Sequence, residues 1–217
     1  MSEKKSPHKH QLKMLKGMKQ LPNFLTSLRL FIIPLLVLAF YIPGMVSNVI
    51  CATLFGIAAI TDYFDGYFAR SMKAQSNFGK CLDPIADKLL VIVAIVMLIR
   101  FNPNNPWILF PGLIIICREV LVSGLREFLA EIHVSVPVSK LAKYKTAVQM
   151  FAIGGLLLGD NGSSYALYYW IGGFIEVEFK FLIISAIVTI AKILFSLAAF
   201  LTVVTGYAYF RVGFKNM

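Results

Sequence analysis

Four of the chain's eleven acidic residues fall within 26 positions, as Asp62, Asp65, Asp83 and Asp87. Asp62 and Asp65 are three apart and share one face of a helix; Asp83 and Asp87 are four apart and share a face of the next. Four carboxylates gathered in a medium of low dielectric repel strongly unless something neutralises them. Hard divalent cations prefer oxygen ligands, and Mg2+ is often held by a few carboxylates together with substrate phosphates. Two such ions could share the four aspartates. The competing reading is a set of solvated loop charges paired with Arg70, Lys73 and Lys80. Gly66 and Ala69 follow Asp62 on the same helical stripe, where small side chains leave a slot for a flat or phosphate-bearing ligand. Arg70, at the rim of that slot, could pair with a phosphate. Gly and Ala also serve ordinary helix packing in membranes, so each alone is a weak sign.

A second set is cationic. Arg118 lies deep within an apolar stretch, too deep for an ordinary loop charge, and Arg126 follows about two helical turns later. Lys143 and Lys145 head the next stretch. Four cations around one opening could hold a dianionic phosphate, with arginine's planar fork supplying two charge-assisted bonds at once. The alternatives are membrane anchoring for Lys143 and Lys145, and a structural pair of Arg118 with Glu119 or an aspartate.

The elements that must position these residues follow from composition. Of 217 residues, 58% are hydrophobic and 15% charged, with a mean hydropathy of +0.75. Soluble domains carry roughly 45–50% apolar and about 25% charged residues, so the sequence reads as an all-α integral membrane protein. A disordered chain, a collagen-like repeat and a small disulfide scaffold are excluded. Spanning helices need roughly 20 mainly apolar residues, and six stretches are predicted to span, near 24–42, 46–64, 84–100, 107–127, 143–159 and 183–210. Residues 1–20 form a basic cytoplasmic tail, and residues 21–217 a single six-helix domain. Leu12, Leu15 and Met18 recur at intervals of three, so the tail is either an interfacial basic helix or a solvated segment. It carries no cleavable signal pattern. The net charge of +10 would suggest nucleic acid in a soluble protein, but the hydropathy argues against that partner. With six spans and a cytoplasmic N-terminus, 18 of the 21 lysines and arginines fall on the cytoplasmic side. Arg100 and Lys180 fall opposite, and Lys192 lies within the last span. Both termini and the aspartates are therefore expected to be cytoplasmic. Residues 160–180, with Tyr165, Tyr168, Tyr169 and Trp170, read as an outer connector in an aromatic belt, or alternatively as a re-entrant segment. Cys51, Cys81 and Cys117 show no metal or disulfide spacing and read as small hydrophobes.

The string Asp62-x2-Asp65-Gly66-x2-Ala69-Arg70-x8-Gly79-x3-Asp83-x3-Asp87 resembles, without a mismatch, the defining motif of the CDP-alcohol phosphatidyltransferases. The resemblance implies a six-helix membrane enzyme that attacks a CDP-linked lipid and releases CMP. It implies two divalent cations, Mg2+ or Mn2+, held by Asp62, Asp65, Asp83 and Asp87, with Asp87 also the proton acceptor. Gly66, Ala69, Arg70, Ser76 and Gly79 become contacts to the nucleotide and pyrophosphate. The opening Pro22-Asn23-Phe24-Leu25-Thr26-Ser27-Leu28-Arg29 is similar to the start of the branch that uses glycerol 3-phosphate as acceptor, which adds Asn23, Thr26 and Arg29 to the CDP-lipid contacts. Arg118-Glu119-Val120, Ser123 to Arg126, Lys143 to Thr146 with Gln149, and Thr205-Gly206-Tyr207 carry the same likeness. Ala142 stands where many relatives have glycine. On this resemblance the substrates are CDP-diacylglycerol and glycerol 3-phosphate. Arg118, Arg126, Lys143 and Lys145 would take the acceptor phosphate, apart from the aspartates. The expected setting is a homodimer in a bacterial-type cytoplasmic (inner) membrane. Two rivals stay open: another acceptor (inositol phosphate, serine or phosphatidylglycerol), or an ion transporter with an acidic vestibule.

Overall fold

The computed structural model of the chain describes residues 26–42, 46–72, 77–134, 140–159 and 177–216, with the backbone alone at 63–72, 77–81, 83, 140, 142, 143, 177–184, 208, 212 and 214–216. Six helices carry the described residues: α1 (Thr26–Phe40), α2 (Val46–Met72), α3 (Asn77–Phe101), α4 (Pro106–Glu131), α5 (Lys140–Gly159) and α6 (Val177–Asn216). No strand occurs among the described residues. Each predicted apolar stretch is met by a helix. The tail at 1–20 and residues 160–176 of the expected 160–180 connector lie outside the described residues, while 177–180, read as connector, already belong to α6.

Two differences from the sequence reading matter for the site. Helix α2 runs on past the apolar stretch to Met72, and α3 begins at Asn77, ahead of the predicted start at 84. Both pairs of aspartates therefore stand on continuous helix. Apolarity marks where a helix needs lipid or core around it; hydrogen bonding lets the same helix continue through polar residues. Pro84 sits inside α3, where its ring removes one ladder bond without ending the helix.

Helix α4 has the clearest ends. Asn105 caps it by accepting the Trp107 amide at 3.2 Å, with Pro106 at the first helical position. At the other end His133 adopts φ 58°, its amide bonding the Ala130 carbonyl at 3.1 Å and the Val134 amide bonding Leu129 at 2.8 Å. This is the paired-bond helix stop usually built on glycine.

By length and composition, two helical stretches are long and apolar enough to cross a membrane, Pro106–Glu131 and Ser185–Arg211. Large apolar side chains point outward along the helices, among them Phe31, Phe110, Phe151 and Phe200, all more than 60% exposed. The interior is mixed: Leu36, Phe55, Leu98 and Phe195 are buried, and so are Arg29, Asn48, Lys145, Gln149 and Thr205.

Packing explains where the space for a site comes from. Helices α5 and α6 make the most extensive contact, followed by α4 and α6, then α2 and α5. At Gly155 a Cβ would stand 2.9 Å from the Ala191 Cβ, and Gly159 four residues on also faces α6, so the small residues let the two backbones close together. Among the described residues the backbones of α4 and α5 do not come close to each other, and the Lys145–Glu119 ion pair reaches between them. Both lean on α6, and the gap between them stays open.

Candidate active site

Arg29 is the link between the two halves of the aspartate motif. It stands on α1, one turn after buried Thr26, and is itself fully buried. Its Nη2 lies 3.1 Å from Asp62 Oδ1 on α2, and its Nη1 donates to Asp87 Oδ1 on α3. The Asp62 contact is an ion pair off the line of the N–H bond, and Arg29 Nε is buried with no partner among the described residues. One guanidinium thus draws together a carboxylate from each pair. The carboxylates themselves stay open, 40% and 39% exposed. Asp65 and Asp83 share helices with them, three residues after Asp62 and four before Asp87, although their side chains lie outside the described residues. Of Gly66, Ala69, Arg70 and Gly79 the backbone alone is described, and Asn23 and Ser76 lie wholly outside the described residues.

The donor set fits hard divalent cations. Carboxylate oxygens from two helices converge and remain accessible, while a single buried guanidinium offsets only part of the charge that four aspartates bring. Among the described residues no cluster of three or more metal-ligating side chains is complete.

The cationic set assembles around α4. Arg118, in the middle of that helix, donates from Nη1 to Glu119 Oε1 at 3.3 Å and from Nη2 to Thr205 Oγ1 of α6 at 3.1 Å. Its guanidinium carbon stands 6.0 Å from the centre of the Tyr209 ring, within cation–π range. Gly206 lets α6 come this near: a Cβ there would stand 3.3 Å from Arg118 Cγ. Lys145 of α5 is buried and donates to the same Glu119 Oε1. Arg126, two turns beyond Arg118, is exposed, and no carboxylate pairs with it among the described residues. The Lys143 side chain lies outside the described residues.

Asp62 and the cationic set open into one space. A cavity of about 1220 Å³ between α2, α4 and α5, backed by Tyr209, is lined by Asp62 at one side and by Arg118, Glu119, Arg126, Lys145 and Thr146 at the other. Its remaining wall is apolar or small, from Ala52, Phe55, Gly56 and Ala59 on α2 to Met150, Phe151 and Gly154 on α5. A cavity with acid, base and hydrocarbon walls can hold a ligand that carries both phosphate and apolar chain.

Tyr207, which follows Thr205 and Gly206 in the sequence motif, points outward at 70% exposure. Tyr209, four residues after Thr205 and buried, is the one at the site. The helical spacing of Thr205 and Tyr209 carried that signal.

The sequence pattern of the CDP-alcohol phosphatidyltransferases matches residues 19–204, which include every residue of both sets. The chain belongs to the CDP-alcohol phosphatidyltransferase family. This CDP-alcohol phosphatidyltransferase is 46% identical over 193 residues to a Rickettsia felis protein named CDP-diacylglycerol–glycerol-3-phosphate 3-phosphatidyltransferase, covering 89% of this chain and 94% of that relative. A Rickettsia typhi protein of the same name is 46% identical over 194 residues, 89% of this chain and 97% of the relative. One from Haemophilus influenzae is 43% identical over 143 residues, 65% of this chain and 77% of the relative.

Proposed function

We propose that this chain transfers a phosphatidyl group from CDP-diacylglycerol to glycerol 3-phosphate, giving phosphatidylglycerophosphate and CMP. The observation that carries the reading is the single cavity lined by Asp62, which Arg29 ties to Asp87, and by Arg118, Arg126 and Lys145. The names and identities of the relatives point to the same reaction.

Asp62, Asp65, Asp83 and Asp87 would hold two divalent cations, Mg2+ or Mn2+. When bound, the ions neutralise the pyrophosphate and the charge that develops on departing CMP. Arg29 fixes the spacing of the two helices that bear the carboxylates. Arg126 meets the acceptor phosphate, with Arg118, Lys145 and Lys143 completing the cationic side. Asp87 takes the proton of the acceptor's free hydroxyl as its oxygen bonds the lipid-side phosphorus. The bond from that phosphorus to the CMP oxygen breaks, and the electron pair leaves with CMP. Gly66, Ala69, Arg70, Ser76 and Gly79 contact the nucleotide and pyrophosphate, and Asn23 and Thr26 belong to the same side. Transfer of this kind asks the protein mainly for positioning and electrostatics.

All six helices span a bacterial-type cytoplasmic membrane, with residues 21–217 as one domain, the basic tail and both termini in the cytoplasm, and two chains forming a homodimer. The outward apolar side chains and inward polar ones support a lipid surround. A cysteine placed at Asn104 should react with an impermeant reagent from outside, and one at Ser76 should not. Reaction at Ser76 from outside overturns the topology.

The deciding experiment uses purified protein in detergent with CDP-diacylglycerol and a panel of acceptors, following CMP. CMP formed with glycerol 3-phosphate, and only with a divalent cation, is expected. CMP formed with inositol phosphate and not with glycerol 3-phosphate overturns the acceptor assignment.

A further inference from the structure

Glu119 is the one acid on the cationic side of the cavity among the described residues. Its Oε1 takes both Lys145 Nζ and Arg118 Nη1, so a single oxygen holds two cations from two helices. The backbones of those helices, α4 and α5, do not come close to each other among the described residues. The Glu119–Lys145 pair is therefore a strut across the floor of the cavity. Lys145 is 2% exposed, and a buried ammonium beside a guanidinium needs a counter-charge to stay in place. Arg118 is held from its other side by Thr205 Oγ1 at 3.1 Å, and Ser123 Oγ bonds the Glu119 carbonyl at 2.5 Å. By contrast Arg126 is exposed and without a carboxylate partner among the described residues.

We infer that Glu119 is a positioning residue for the acceptor pocket: its carboxylate sets Lys145 and Arg118 at a fixed separation so that, with Arg126, they form a phosphate-sized cationic site. The inference rests on the proposed reaction. Glu119 touches no reacting atom. It acts through Lys145, and removing its charge loosens the link and lets buried Lys145 and part-buried Arg118 separate. The effect belongs to the phosphomonoester, because the CDP-lipid side of the cavity is built from other helices and other charges.

The test is a double-mutant cycle on the purified full chain, measuring KM for glycerol 3-phosphate, KM for CDP-diacylglycerol and kcat from CMP release. Glu119→Gln should raise the glycerol 3-phosphate KM about 10- to 100-fold, the size of a lost charge-assisted hydrogen bond, with the CDP-diacylglycerol KM within about twofold. Lys145→Met should do the same, and the double variant should be no worse than Lys145→Met alone. Glu119→Asp, which keeps the charge, should recover part of the loss, and it carries the cycle if the Gln variant does not fold. Independent, multiplying effects of the two changes overturn the inference, as does an equal rise in both KM values or no recovery with Asp. If the unaltered protein releases no CMP with glycerol 3-phosphate, the proposed reaction itself fails, a result distinct from additivity in an active enzyme.

Discussion

Replacing Arg29 with methionine removes the guanidinium that bridges Asp62 and Asp87, and the consequences separate activity from folding. The guanidinium is fully buried, 3.1 Å from Asp62 and bonded to Asp87. At an effective dielectric of about 20, a charge pair at that distance is worth roughly 5 kcal/mol. Both carboxylates are about two-fifths exposed, so water recovers much of this when the arginine is gone. A loss of about 3 kcal/mol in the positioning of the pair is the reasonable figure, near the top of the range for one charge-assisted bond. That corresponds to a roughly hundredfold drop in kcat. Methionine fills similar volume, and the two carboxylates left unpaired are partly open to water, so the fold should lose less than a fully buried broken pair would cost. Arg29→Lys keeps the charge but not the fork and reaches one carboxylate, so it should lose about tenfold. The assay is CMP release at saturating substrates and divalent cation, beside thermal unfolding of the same detergent-solubilised sample. Wild-type turnover in Arg29→Met would refute the reasoning, since the two carboxylates would then be spaced by their own helices. An equal collapse of Tm and activity would make Arg29 a stability element only.

Other changes probe the remaining parts. Asn at Asp62, Asp65, Asp83 or Asp87 should each lower CMP release by orders of magnitude, roughly 10²- to 10⁴-fold for a lost ligand or base. Chelation should abolish turnover, and added Mg2+ or Mn2+ should restore it. Full activity in Asp83→Asn would end the two-ion reading. Gly206→Val should raise the glycerol 3-phosphate KM, because even a Cβ would stand 3.3 Å from Arg118 Cγ and the added methyls must displace that side chain; an unchanged KM would show that Arg118 is not held where it is needed. His133→Gly should raise Tm, by about 0.5–1 kcal/mol of stability, since His133 holds φ 58° where glycine has no steric cost.

Much of the protein was legible before any coordinates. Runs of apolar residues marked all six helices, because a helix shielded from water announces itself by composition over about twenty positions. The aspartate motif was legible too, since spacing of three and four on a helix is a local property. Helix ends were less so: α2 and α3 continue through polar residues to Met72 and from Asn77, and backbone hydrogen bonds leave no apolar trace. Arg29, Arg118 and Glu119 could be named from sequence, and the adjacent Arg118–Glu119 pair with them, but their partners on other helices could not. That Arg29 on α1 lies between Asp62 and Asp87, 33 and 58 positions away, depends on how three helices pack. That Lys145 pairs with Glu119 across an open gap depends on α4 and α5 both leaning on α6 instead of on each other. Tyr209, and not Tyr207, reaches Arg118 because of the rotation of α6 about its axis. Local spacing decides which residues share a helix face. Which faces then meet is decided by small residues such as Gly155 and Gly206, where backbones can close to within reach of one another, and that information belongs to pairs of helices and to no single stretch of the chain.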